Sequence, residues 1–157
     1  MKSVDKKVGI KSFSDPTQGA VPSFFTSPIW EDKSSLSFKL KQIIFQAVLE
    51  VAGKNQGLKS DILKLEHPSQ NNYGDYATNI ALILAGKMHL KPYDLAKKIA
   101  DQLNKYISDN QKITISSDSK KSQDNNIYPS RILEKIEIGG GGFINLWLRE
   151  DYLITLL

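Results

Sequence analysis

Cysteine is absent from all 157 residues, which excludes a disulfide framework, a thiolate zinc knuckle and a thiol nucleophile. Histidine is nearly absent as well. His67 and His89 stand far apart, without acidic company at ligand spacing, so both read as ordinary residues rather than metal ligands. No apolar run approaches the roughly 18 residues that a spanning helix needs. Lys2, Lys6 and Lys7 are not followed by an apolar segment, so there is no secretory signal pattern. A cytoplasmic, reducing compartment is the resulting expectation. Charge of one sign is scarce too: 21 Lys and Arg against 17 Asp and Glu leave +4. That excess is compatible with nucleic acid without requiring it. No Ser-His-Asp arrangement and no acidic pair in a pocket-forming pattern stands out, so nothing in these residues argues for catalysis by this chain.

Composition divides what is present. Residues 1–34 read as a flexible N-terminal extension, with Pro16, Pro22 and Pro28 breaking any sustained period. Phe24, Phe25, Ile29 and Trp30 are surplus to a purely solvated linker and leave open a segment that docks its aromatics. Residues 35–157 read as one domain interrupted by the polar loop 116–126, SSDSKKSQDNN, which has no apolar residue.

Within that domain the 3.6-residue period appears three times. Leu36, Leu40, Ile43, Ile44, Ala47, Val48 and Val51 predict a helix running to about Ala52, with Ser34 or Ser35 as N-cap and Gly53 as stop. Phe38, Phe45 and Leu49 lie on its other side and need cover from the extension or from another domain. A second helix is expected over Ala77–Met88, with Ala77, Ile80, Ala81, Leu84, Ala85 and Met88 inward and Leu82 and Ile83 widening the stripe. A third opens at Pro92, a favoured first position, and runs to about Ile107.

Strand signals are shorter. Ile62–Glu66 and Ile113–Ile115 are brief candidates. Ile132, Ile136 and Ile138 alternate with Leu133, Lys135 and Glu137. After Gly139–Gly142, Phe143, Asn145 and Trp147 alternate with Ile144, Leu146 and Leu148. The order of elements predicts an α+β fold, a small antiparallel sheet with helices packed on one face.

Three motifs invite a chemical reading. The glycine run Gly139–Gly142 lacks the Lys-Ser/Thr of a phosphate loop and lies between strands, so a tight hairpin turn or bulge needing positive φ is expected. Asp75, in the Tyr73-Gly74-Asp75-Tyr76 turn close to Asn79, has the chemistry to cap a helix starting near Ala77. The last strand is the most informative. Its aliphatic face belongs to the core, which leaves aromatic, amide, aromatic on the other. Either a second layer covers Phe143, Asn145 and Trp147, or they form a stacking and hydrogen-bonding platform for single-stranded or looped RNA.

Four separated motifs together resemble one family. They are Glu66-His67-Pro68, Tyr73-Gly74-Asp75-Tyr76-Ala77-Thr78-Asn79, Lys91-Pro92 with Leu95-Ala96 and Ile99-Ala100, and Gly141-Gly142-Phe143-Ile144-Asn145-Leu146. In order and spacing, over about residues 36–157, they resemble the N-terminal domain of arginyl-tRNA synthetases. The resemblance implies an α+β module that binds the D-loop and elbow of tRNA(Arg) through the aromatic and the amide of the final motif, here Phe143 and Asn145. Trp147 joins them by its position on the same face. It also implies a class I catalytic domain, in cis or in trans, that uses ATP and arginine. The signature motifs of that domain are missing from these residues, so no cofactor and no ligase activity are expected of the chain alone. It is expected to be monomeric and to have no membrane partner. The competing expectation is a protein-interaction or scaffolding module using the exposed aromatic face.

Overall fold

A computed structural model describes residues 35–54, 57–114 and 126–157. The aromatics of the N-terminal extension, Ile115 and nearly all of the polar loop lie outside the described residues. Helix α1 spans Leu36–Ala52, immediately after Ser35. It buries Leu40, Ile43, Ile44, Ala47 and Val48, the central part of the expected stripe. Gly53 stops it in the left-handed region, at φ 90°, with its N–H on the Leu49 carbonyl. Phe38, Phe45 and Leu49 are half-buried.

Where a single helix over Ala77–Met88 was expected, the chain makes a strand and then a helix. Strand β1, Tyr76–Thr78, precedes α2, Ile80–Met88. The reason is competition for the backbone of Ala77. Its N–H and carbonyl bond to Glu66 at 2.8 and 2.9 Å, so neither is available to a helical ladder. The Thr78 hydroxyl accepts the Ile80 N–H at the helix start. Ile80, Ala81, Leu84 and Ala85 are buried as expected, but Leu82 and Ile83 face solvent. Ile62–Glu66 is likewise not a strand. A 3-10 turn occupies Ser60–Ile62, and only Glu66 pairs, as an isolated bridge to Ala77.

Helix α3, Pro92–Ser108, is the centre of the packing. It buries Leu95, Ala96, Ile99, Ala100, Leu103 and Tyr106 and touches α1, α2 and the sheet. Strands β2 (Ile113–Thr114) and β3 (Asn126–Ile127) form a small antiparallel ladder. A helical turn α4, Pro129–Ile132, leads into β4, Leu133–Ile138. Strand β5, Ile144–Leu148, and the short helix α5, Glu150–Thr155, follow. Among the described residues β1, β5 and β4 form one antiparallel sheet in that order, so the fold is the expected α+β arrangement.

The alternation expected around Leu133 fails for a local reason. Ile132 ends α4, and the pairing shifts between Leu133 and Lys135, with Leu133 opposite Leu148 and Lys135 opposite Trp147. This bulge turns Leu133 to the core, where it is fully buried, and Ile136 stays inward. The glycine turn behaves as expected. Gly141 and Gly142 have φ of 77° and 112°. Gly142 also lies against α3: a Cβ there would meet Pro92 at 2.9 Å. Ile144, Leu146 and Leu148 are buried, which leaves the alternate residues of β5 on the other face.

Candidate nucleic-acid interface

That outer face is built row by row from the strand register. Ala77 pairs with Asn145 and Asn145 with Glu137, so the three share one row. Directly paired residues of neighbouring strands project to the same side. The bridge between Glu66 and Ala77 adds Glu66 to that row. The adjoining row holds Trp147 and Lys135. Phe143 stands where the glycine turn enters β5, with extended backbone.

The rows leave a cleft of about 380 Å³ beside the turn. Tyr73 and Phe143, both well exposed, stand at it, and Pro68 and Glu66 contribute to its wall. Asn145 lines it too, yet Asn145 is only 5% exposed. The face reading of β5 therefore holds, but Asn145 is a sunken residue and not an outward-standing one. The cause is close packing. Gly139 lies so near that a Cβ on it would be 3.1 Å from Asn145 Nδ2. The Asn145 amide has no hydrogen-bond partner among the described residues and is left to the cleft. Trp147 is half-buried and lies outside the cleft, with the Lys135 ammonium 4.7 Å above its ring. Lys135 also pairs with Glu137.

Asp75 does not cap the following helix. Its Oδ2 accepts the Leu148 N–H at 2.8 Å, and its own N–H donates to the Leu146 carbonyl at 2.8 Å. Its carbonyl lies 2.9 Å from His67 Nδ1, and the His67 ring leans on Tyr76 with centroids 4.1 Å apart. Burial, and secondarily the neighbouring Asp75 carboxylate, raise the Tyr76 phenol above its ordinary range. Gly74 makes this fastening possible. Its φ is 85° and its ψ −175°, and a Cβ on it would fall 2.6 Å from the Leu146 oxygen. The turn carrying Tyr73 is thus held against β5 by Gly74 and Asp75. Asn79 is not at the cleft. It precedes α2, where its carbonyl accepts the Ile83 N–H and its side chain makes no cap bond. Gly141 and Gly142 shape the turn and contribute no side chain.

The structure thus brings Tyr73, Phe143 and Asn145 together and separates Trp147 and Asn79 from them. Sequence reasoning gave no role to Glu66 or Pro68. Their place in the cleft follows from the pairing of Glu66 with Ala77, which no local pattern signals.

Comparison with known proteins bears on the same residues. The family model of the arginyl tRNA synthetase N-terminal domain matches residues 39–118, which include the Tyr73 side of the cleft and stop short of β4 and β5. The arginine–tRNA ligase of Oceanobacillus iheyensis is 35% identical over 115 residues, 73% of this chain and 16% of that protein. Those of Chlorobium phaeobacteroides and Staphylococcus carnosus are 32% and 31% identical, over 60% and 76% of this chain and 13% and 18% of theirs. The chain spans less than a fifth of the length of these relatives. About half of its residues fall within the family match, and the chain belongs to the arginyl-tRNA synthetase N-terminal domain family.

Proposed function

We propose that this chain is the tRNA-binding module of an arginine–tRNA ligase, gripping the D-loop side of the elbow of tRNA(Arg) and orienting the molecule for a class I catalytic domain elsewhere. ATP and arginine are handled by that domain, and this chain by itself neither activates arginine nor charges tRNA. The observation that carries the reading is the cleft in which Tyr73 and Phe143 stand exposed beside the unpartnered Asn145 amide. Phe143 offers a ring to a splayed base, and the amide supplies both a donor and an acceptor to its edge. Trp147, already covered by Lys135, flanks the neighbouring nucleotide. Among the described residues no lysine or arginine lines the cleft, and Lys135 is the cation beside it, so the phosphate contribution is small. About two to three phosphate contacts predict that log K falls by roughly 2 to 3 per decade of salt.

A gel-shift titration of folded tRNA(Arg) tests the reading. Phe143→Ala removes one stacking surface and should weaken binding by about 1–2 kcal/mol. A tRNA with altered unpaired D-loop bases should show a comparable loss. Unchanged affinity in both experiments, with the variant's melting temperature intact, would refute it. A second reading, a protein-docking module, is favoured by Leu82 and Ile83 on the outer side of α2. It predicts no tRNA binding at all.

A further inference from the structure

We infer that Glu66 is a specificity determinant of the cleft, admitting a base by an exocyclic amino group on its ring edge and turning away both phosphate and a base, such as uracil, that presents a carbonyl oxygen in that place. The inference rests on the reading that this cleft takes a nucleobase.

The geometry begins with the isolated bridge. Glu66 and Ala77 exchange both backbone hydrogen bonds, so the Glu66 side chain projects on the same face as Ala77 and Asn145. Neighbouring strands lie about 4.8 Å apart. Only the methyl group of Ala77 therefore separates Glu66 from Asn145 in their row. The gap between the two polar side chains is left open by a small residue, and the cleft is lined from both sides of it.

Charge decides what fits there. The two carboxylates of the row differ in company. Glu137 is paired with Lys135. Glu66 is exposed, and its side chain has no ion pair or hydrogen bond among the described residues. Among the described residues no lysine or arginine lines the cleft. An uncompensated carboxylate beside aromatic rings repels a phosphate group, so the ligand enters by its ring and not by its backbone. A carboxylate only accepts hydrogen bonds. It therefore favours a ring edge carrying an amino group, as in cytosine N4, and opposes an edge that presents a carbonyl oxygen in the same place, as in uracil O4. The Asn145 amide, which both donates and accepts, tolerates either edge. Discrimination thus falls to Glu66.

Cytosine and uracil test this effect, because they stack alike and exchange an amino group for a carbonyl at position 4; they also exchange an acceptor for an N–H donor at N3, but in uracil that donor is flanked by O2 and O4, which oppose the approach of a carboxylate. The probes are the octaribonucleotides rC8 and rU8, titrated at pH 7.5 by fluorescence anisotropy with folded tRNA alongside. Wild-type protein should bind rC8 at least about fivefold more tightly than rU8, in the range a single good edge contact supplies. Glu66→Gln keeps the shape and removes the charge. It should bring the two octamers within about twofold, chiefly by tightening rU8. A ratio unchanged in Glu66→Gln, with Phe143→Ala still weakening tRNA, overturns the role of Glu66 and leaves the proposed function standing. Failure of the wild type to distinguish the octamers, or to bind them, overturns the inference as well. Failure to bind tRNA removes the proposed function along with it.

Discussion

Replacing Gly74 by alanine should be among the most damaging single-methyl additions in the domain. Its φ of 85° with ψ of −175° lies in a region that is essentially reserved for glycine, and occupying it costs a side-chain-bearing residue about 1–3 kcal/mol. The added Cβ would also sit 2.6 Å from the Leu146 carbonyl oxygen. That oxygen cannot retreat cheaply, because it accepts the Asp75 N–H at 2.8 Å and belongs to β5, the middle strand of its sheet. Together the two terms put the loss at about 3 kcal/mol or more. For a domain of this size that corresponds to a fall in Tm of about 10 °C. Gly141→Ala is the internal control. Its φ of 77° is also positive, but nothing lies within 4 Å of the added Cβ. Its cost is therefore confined to the backbone, about 1–2 kcal/mol. Thermal melts of the two variants, followed by circular dichroism, measure the difference. If Gly74→Ala melts with or above Gly141→Ala, the close approach of the Tyr73 turn to β5 is not what holds it.

Asp75→Ala, by removing the acceptor of the Leu148 N–H, should destabilise by about 1.5–3 kcal/mol in urea unfolding, and Asp75→Asn, which retains an oxygen, by less. Gly86→Ala should stabilise by about 0.5–1 kcal/mol, since Gly86 lies within α2 and its Cβ would meet nothing within 4 Å; a lower Tm would contradict this. Tyr106→Phe should be neutral or stabilising by up to about 1 kcal/mol at pH 7, because the buried hydroxyl has no hydrogen bond of normal geometry among the described residues. Burial first, and then the nearby Glu50, raise the Tyr106 phenol well above its ordinary value of 10.0. The folded state thus keeps a proton that the unfolded chain releases, so the stability linked to Tyr106 is complete below pH 10 and is lost as the pH rises above it. Stability measured by urea unfolding from pH 8 to 11 should fall more steeply for wild type than for Tyr106→Phe.

Much of this domain was legible in its residues because some signals are local and repeat. The stripes of α1 and α3 run through several turns, and Pro92 marks the start of α3. The alternation of β5 separates Ile144, Leu146 and Leu148 from Phe143, Asn145 and Trp147 without knowledge of any partner. The glycine run required a turn whatever surrounded it. Tertiary structure decided the rest, at positions where the determining group lies far along the chain. Ala77 has good helix propensity and is extended because Glu66 and Asn145 take its backbone and its register. Leu133 faces the core because of a one-residue bulge opposite β5. Asp75 resembles a helix cap in sequence, yet its acceptor serves Leu148, 73 residues away. Asn145 is sunken because Gly139 has no side chain to hold it off, and Glu66 meets the cleft through a single bridge. A period describes which face a residue takes within its own element. Which element lies opposite, and which polar group it leaves free, is set by pairing across strands that only the folded chain brings together.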